Sequence, residues 1–148
     1  MIKFIKSLLS FFFEFERRRA VRIPCKTRAH FCYMTREGND RGEATITDIT
    51  DDGFCCDNLH FFRHDPQFVF KINHELDFYF TLPVSEEEKI NFEALGRIRS
   101  IQTKDKFGHT KRFGIKLTKI KKGNRKKFLQ CLTYLTYLHK ENRPYHQF

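Results

Sequence analysis

Four arginines, Arg17, Arg18, Arg19 and Arg22, fall within six positions in the stretch ERRRAVRIP near the start of the chain. Guanidinium stays charged throughout the physiological pH range, so this stretch concentrates fixed positive charge. Such a concentration points to an anionic partner: nucleic acid, a phosphorylated small molecule or an acidic membrane face. Downstream, the stretch DITDDG places Asp48, Thr50, Asp51 and Asp52 ahead of Gly53. Neighbouring carboxylates are the raw material of acid–base catalysis. A turn of this composition is also common without catalysis, because Asp and Thr side chains bond to nearby backbone and Gly relaxes the turn.

Other chemistry is poorly represented. Neither G-x-x-x-x-G-K-[ST] nor G-x-G-x-x-G occurs, so the usual cradles for nucleoside triphosphates and dinucleotides are missing. There is no G-x-S-x-G nucleophile elbow. His60 and His64 stand four apart, but no third ligand accompanies them, so no metal is expected. Cys25, Cys32, Cys55, Cys56 and Cys131 are odd in number and contain no C-x-x-C pair. Reduced thiols, mostly buried, in a cytoplasmic protein are the expectation. These features predict a protein that is not an enzyme and carries no cofactor.

Positioning such residues requires a folded scaffold, and 148 residues suffice for one domain. Lys and Arg number 28 against 18 Asp and Glu, a net charge of +10. Phenylalanine is heavily used, with 18 residues and no tryptophan. From Cys25 to Tyr33 apolar and polar residues alternate, which predicts a strand. EATITDIT, ELDFYFTLP, KINFEALGRIRSIQT and KRFGIKLTKI read the same way, separated by turns rich in Gly, Asn and Asp. Residues 57–74 lack a clean period and read as a long connection. A change of apolar phase around Ala94–Gly96 predicts a bulge or bend. From Asn124, a capping residue, Phe128, Leu129, Leu132, Leu135 and Leu138 recur at helical spacing and predict one apolar stripe. The fold class is therefore mainly β: a six- to seven-stranded antiparallel barrel, whose closure removes exposed edges, with a C-terminal helix.

The first residues, MIKFIKSLLSFFFEFE, carry Ile2, Ile5, Leu9, Phe12 and Phe13 near helical spacing. They predict a short amphipathic helix. The apolar run is too short for a membrane span and no cleavage site follows it. A packing face is the expected use, with peripheral membrane contact through residues 1–15 as the alternative. The domain plan is thus an N-terminal segment over 1–15, a barrel with its helix over 16–142, and a tail over 143–148.

Two features belong together. Arg18-x-x-x-Arg22 and Asp48-x-Thr50-x-x-Gly53 resemble the two signature motifs of PilZ domains, R-x-x-x-R and [D/N]-x-S-x-x-G. Their order and spacing, and the late strand RFGIKLTKI before a terminal helix, are similar to that family over residues 16–142. The resemblance implies a six-stranded barrel with a helix, and binding of the bacterial second messenger cyclic di-GMP. It implies ligand-binding roles for Arg18, Arg22, Asp48, Thr50 and Gly53. An arginine in the place of Arg17 tends, in this family, to accompany binding of two stacked ligands, which adds Arg17 to the set. Arginine suits the ligand because its fork holds a phosphate bidentately, pairs with guanine O6 and N7, or stacks on the base. Ionised Asp48 is acceptor-only and complements guanine's N–H donors. Thr50 stands where serine is commoner; the hydroxyl is kept and a methyl tightens the site. Gly53 permits a positive φ and close backbone approach.

The resemblance further implies a mobile arginine segment that the ligand clamps onto the barrel, presenting a surface to an effector protein or to a second copy of the chain. Outputs in this family include motility, biofilm formation, polysaccharide production and virulence. The alternatives are an adaptor of PilZ type that needs no ligand, and a barrel that stacks single-stranded nucleic acid on Phe31, Tyr33, Phe78 and Tyr79. Without the second motif, the arginines would read as a solvated basic linker pairing with surface carboxylates.

Overall fold

The computed structural model describes residues 22–35, 38–63, 65–107, 110–143 and 145–147. The predicted N-terminal helix lies outside them. Six long strands follow in sequence: β1 (Ile23–Thr35), β2 (Gly38–Ile49), β3 (Gly53–Phe61), β4 (Glu75–Pro83), β5 (Lys89–Thr103) and β6 (Lys111–Lys122). They are followed by helix α1 (Arg125–Lys140) and a two-residue strand β7 (His146–Gln147). The sheet order is β2-β3-β6-β5-β4-β1, and β1 returns to pair with β2, which closes an antiparallel barrel. β7 adds to β1 in parallel at Lys26 and Thr27. Among the described residues no helix is long and apolar enough to cross a membrane.

Alternation is written directly into the walls. In β1 the buried residues are Ile23, Cys25, Thr27, Ala29 and Phe31; in β4 they are Leu76, Phe78, Phe80 and Leu82, with Pro83 at the strand's end. The phenylalanines meet inside. Phe54 stands edge-on to Phe78 at 5.1 Å between ring centroids, and Phe80 stacks on Phe92 at 5.5 Å. Edge-to-face and offset contacts of this kind suit the ring quadrupole.

Local backbone changes one sequence expectation and bears out another. β3 continues to Phe61, so the connection begins only at residue 62. Asn58 adopts a left-handed φ of 55°, and the inward set switches there from Phe54 and Cys56 to Leu59 and Phe61. That switch hides the period. In β5 the inward parity runs without a break through Phe92, Ala94, Gly96 and Ile98. Gly96 is an inward residue without a side chain: a Cβ there would lie 2.6 Å from Ile115 Cγ2 and 2.9 Å from the Phe78 ring. The bulge or bend expected around Ala94–Gly96 is present: the register shifts at Glu93/Ala94 and Leu95/Gly96, and again at Ile98/Ser100.

α1 begins as expected, with Asn124 Oδ1 accepting the Lys127 amide at 2.9 Å. Phe128 packs edge-on against Phe92, and Cys131 lies 3.8 Å from the Leu82 carbonyl. The buried set is wider than one stripe and takes in every residue from Cys131 to Thr136. Thr133 and Thr136 tolerate burial because their hydroxyls donate to the Leu129 and Leu132 carbonyls.

Phe78 is fully buried and touches Phe31 and Phe54. Phe78→Ala should cost about 3–5 kcal/mol of stability. Urea unfolding followed by circular dichroism measures it, and a loss below about 1 kcal/mol would contradict the packing described.

Candidate functional site

The DITDDG stretch forms the end of β2, a tight turn, and the first residue of β3. The Thr50 amide donates to the Gly53 carbonyl at 2.9 Å, and the Thr50 hydroxyl donates to Asp52 Oδ1 at 2.9 Å. The Leu117 amide donates to the Asp52 carbonyl at 2.7 Å, which ties the turn to β6. Gly53 is required here by close approach alone. Its φ is not positive, but a Cβ would lie 1.9 Å from the Ile115 carbonyl oxygen. Asp51 is held above the ordinary carboxylate range by partial burial and by the charge of Asp52. Arg99 stands 3.6 Å from Asp52.

Asp48 occupies the last part of β2, opposite Pro24 of β1 on one side and Cys55 of β3 on the other. Proline has no N–H to offer. Asp48 Oδ1 is buried without a hydrogen-bond partner among the described residues, as are Asp51 Oδ1 in the adjoining turn and Asp77 Oδ1 on β4. The Cys55 thiol is raised above its usual range by burial, then by the charge and hydrogen bonding of Asp48, while Arg22 and Arg112 pull it back. Cys25, inside the barrel, is pushed up to about 12 by burial and by Asp48. Arg22, Asp48, Cys55 and Arg112 therefore share one electrostatic neighbourhood at the seam where β1, β2, β3 and β6 come together. Arg22 is exposed, one residue before β1.

Arg112 is committed to a different carboxylate. Its Nε and Nη2 donate to Asp57 Oδ1 and Oδ2 at 3.1 and 3.4 Å, and Lys104 Nζ donates to Oδ2 at 2.7 Å. Burial pushes the Asp57 carboxyl up, but the hydrogen bonds from Arg112 and Lys104 outweigh it and hold the group below its ordinary value.

Of the sequence-predicted residues, Arg22, Asp48, Thr50 and Gly53 lie at or beside this seam; Arg17 and Arg18 fall outside the described residues. Cys55 and Arg112 were not anticipated. The signal was strand register: β3 pairs Cys55 with Asp48 on one side and Gly114 on the other, with Asp57 opposite Arg112. The stacking platforms of the nucleic-acid alternative do not survive. Phe31 and Phe78 are core residues, 1% and 0% exposed, and Tyr33 packs on Phe61 and Phe68, which leaves only Tyr79 on the outside. A concavity of about 490 Å³ lies elsewhere, between Arg28, Tyr79 and Glu93, and does not include Asp48, Cys55 or Arg112.

The Asp57 cluster gives a pH signature. A carboxyl whose pKa is lower in the folded state contributes stability above its unfolded value of 3.8, and that stability is lost as pH falls through the folded value. Asp57→Asn should cost about 1.5–3 kcal/mol at neutral pH. The gap to wild type should narrow steadily below about pH 3.8. Urea unfolding of both proteins at neutral and acidic pH reads the effect.

No protein-family model matches the sequence, and no curated protein matches it. Solved structures do. The inhibitor of motility MotI/DgrA of Bacillus subtilis superposes with a TM-score of 0.60 at 17% identity, over 86% of this chain and 53% of that one. MrkH of K. pneumoniae, in complex with c-di-GMP, gives a TM-score of 0.58 at 14% identity, over 85% and 54%. The PilZ domain of Escherichia coli YcgR, with c-di-GMP, gives 0.51 at 14% identity, over 86% and 95%. The chain spans about half the length of the first two and nearly all of the third. In fold, this chain is a PilZ-like domain: a closed six-stranded antiparallel barrel followed by one helix.

Proposed function

We propose that the chain is a receptor for cyclic di-GMP. The observation that carries the reading is Asp48 Oδ1, a buried carboxylate oxygen with no partner among the described residues, in the electrostatic neighbourhood of Arg22. An unsatisfied buried acceptor costs about 1–3 kcal/mol, so it is retained at a loss to stability. A guanine edge supplies the N–H donors it lacks, and the ligand's phosphates match the arginines. Two of the structural neighbours are c-di-GMP complexes, which supports the same ligand.

In this reading Arg18 and Arg22 hold phosphate and guanine, Asp48 accepts from a base, and Arg17 extends the site toward a second stacked ligand. Thr50 and Gly53 act through the turn: the Thr50 hydroxyl is engaged with Asp52, so it shapes the loop and offers its oxygen as acceptor. Ligand binding clamps the arginine segment onto the seam, a population shift that requires a differential affinity of a few kcal/mol for the clamped state. The clamped segment and residues 1–15 then form or hide a surface for an effector protein or a second copy, with motility, biofilm formation, polysaccharide production or virulence as the regulated process. The protein acts by binding and performs no chemistry on the ligand.

Isothermal titration of the full chain with cyclic di-GMP, with GTP as control, tests this. Saturable binding is expected, and its stoichiometry distinguishes one ligand from two. Arg22→Ala and Asp48→Ala should each weaken binding about 10–100-fold. Asp48→Ala removes an unsatisfied buried oxygen, so its melting temperature should equal or exceed that of wild type while affinity falls. A folded wild-type chain that shows neither heat nor a thermal shift would overturn the receptor reading in favour of a ligand-independent adaptor.

A further inference from the structure

The end of the barrel opposite the Thr50–Asp52 turn carries apolar side chains that the fold pushes outward. In the 62–74 connection, Phe68 and Phe70 turn in: Phe70 stacks on Phe61 at 5.0 Å and meets Phe113, while Phe68 packs on Tyr33 and His74. Two inward residues on either side force Val69 out, and it is 55% exposed. Ile72 is equally exposed. The neighbouring β5–β6 loop, closed by the Lys104 amide on the Thr110 carbonyl, raises Phe107 to 78% exposure. Met34, at the far end of β1, is 70% exposed. Val69 lines the same shallow cleft as Thr110 and Lys111, so the two loops adjoin.

These tips do not resemble the core of a protein–protein interface, which is depleted in lysine. Here lysine is interleaved with the apolar residues: Lys71 stands between Phe70 and Ile72, and Lys106 immediately precedes Phe107. Both lysines are exposed, as are Arg63 on the first loop and Lys111 at the start of β6. The acidic residues among them are engaged in the turns. Asp65 Oδ1 accepts the Gln67 amide at 3.0 Å, and Asp105 Oδ2 accepts the Thr110 hydroxyl at 3.4 Å. Convex apolar tips separated by cations match one kind of surface: the boundary of a bilayer with anionic lipid, where the tips enter the acyl region and the ammonium groups stay among the phosphates.

We infer that this loop end docks on an anionic membrane surface, leaving the Asp48 seam at the other end of β2 and β3 facing away from the lipid. The anchoring phenylalanines give the tips a fixed shape, so docking needs no refolding of the loops. The inference does not depend on the identity of the ligand at the seam.

Flotation of the full chain with phosphatidylcholine vesicles, with and without phosphatidylglycerol, provides the test. The chain should float with the anionic vesicles and not with the neutral ones, and raised salt should release it. The triple variant Val69→Ser, Ile72→Ser, Phe107→Ser keeps every charge, and Lys71→Gln with Lys106→Gln keeps every apolar tip. Each should lower the bound fraction at least about tenfold, with circular dichroism unchanged. Undiminished flotation of the triple variant would place the contact elsewhere in the chain and overturn the proposal. So would the absence of anionic binding, or a dimer in solution that the triple variant abolishes while vesicle binding persists.

Discussion

β1 bonds to β2 along one edge and to β4 along the other, and that double use is what closes the barrel. The same strand begins one residue after Arg22. Closure therefore fixes where Arg22 stands: Ile23 pairs with Ile49 and Pro24 with Asp48. The first residues of β1 thus lie against the strand that carries the carboxylate of the second motif. Two pieces of sequence far apart along the chain are brought together by the hydrogen bonds that make the fold a barrel.

The aromatic interior gives that closure its rigidity. Large side chains bury much area at small entropic cost, and the phenylalanines form a continuous set from Phe128 on the helix, through Phe92, Phe80, Phe54 and Phe78, to Phe31, Phe61 and Phe70 at the far end. The long 62–74 connection contributes to this core despite having no strand of its own, because Phe68 and Phe70 plug the barrel mouth. A loop anchored in this way presents its remaining side chains in a fixed arrangement.

The walls of the barrel were legible because period-two alternation survives wherever the backbone is regular, as in Leu76, Phe78, Phe80 and Leu82. The helix start was legible because Asn124 caps in the expected way. Legibility failed where one residue resets the parity, as Asn58 does in β3, whereas the apolar phase change beside Gly96 did mark the register shifts of β5. The candidate site divides in the same manner. Asp48, Thr50 and Gly53 stand out as a motif in sequence. Cys55 and Arg112 join them through strand register, which no local pattern encodes. Gly53 was legible as a necessary glycine, but the reason is strand approach and not a left-handed turn.

Two aspartates on adjacent strands show how the seam divides its charge. Asp57 takes both nitrogens of Arg112 and the ammonium of Lys104. That pairing uses the cations nearest to it, and it holds Arg112 in a fixed orientation beside Asp48 without giving Asp48 a hydrogen bond. With Asp57 present, the Asp48 oxygen keeps its unmet capacity and the positive field of Arg112 remains close by. An acceptor and a field of opposite sign, both held in place, are complementary to a ligand that brings N–H donors and phosphate together. On the proposed reading, Asp57 acts as a positioning residue: it orients Arg112 beside the Asp48 oxygen without touching the ligand.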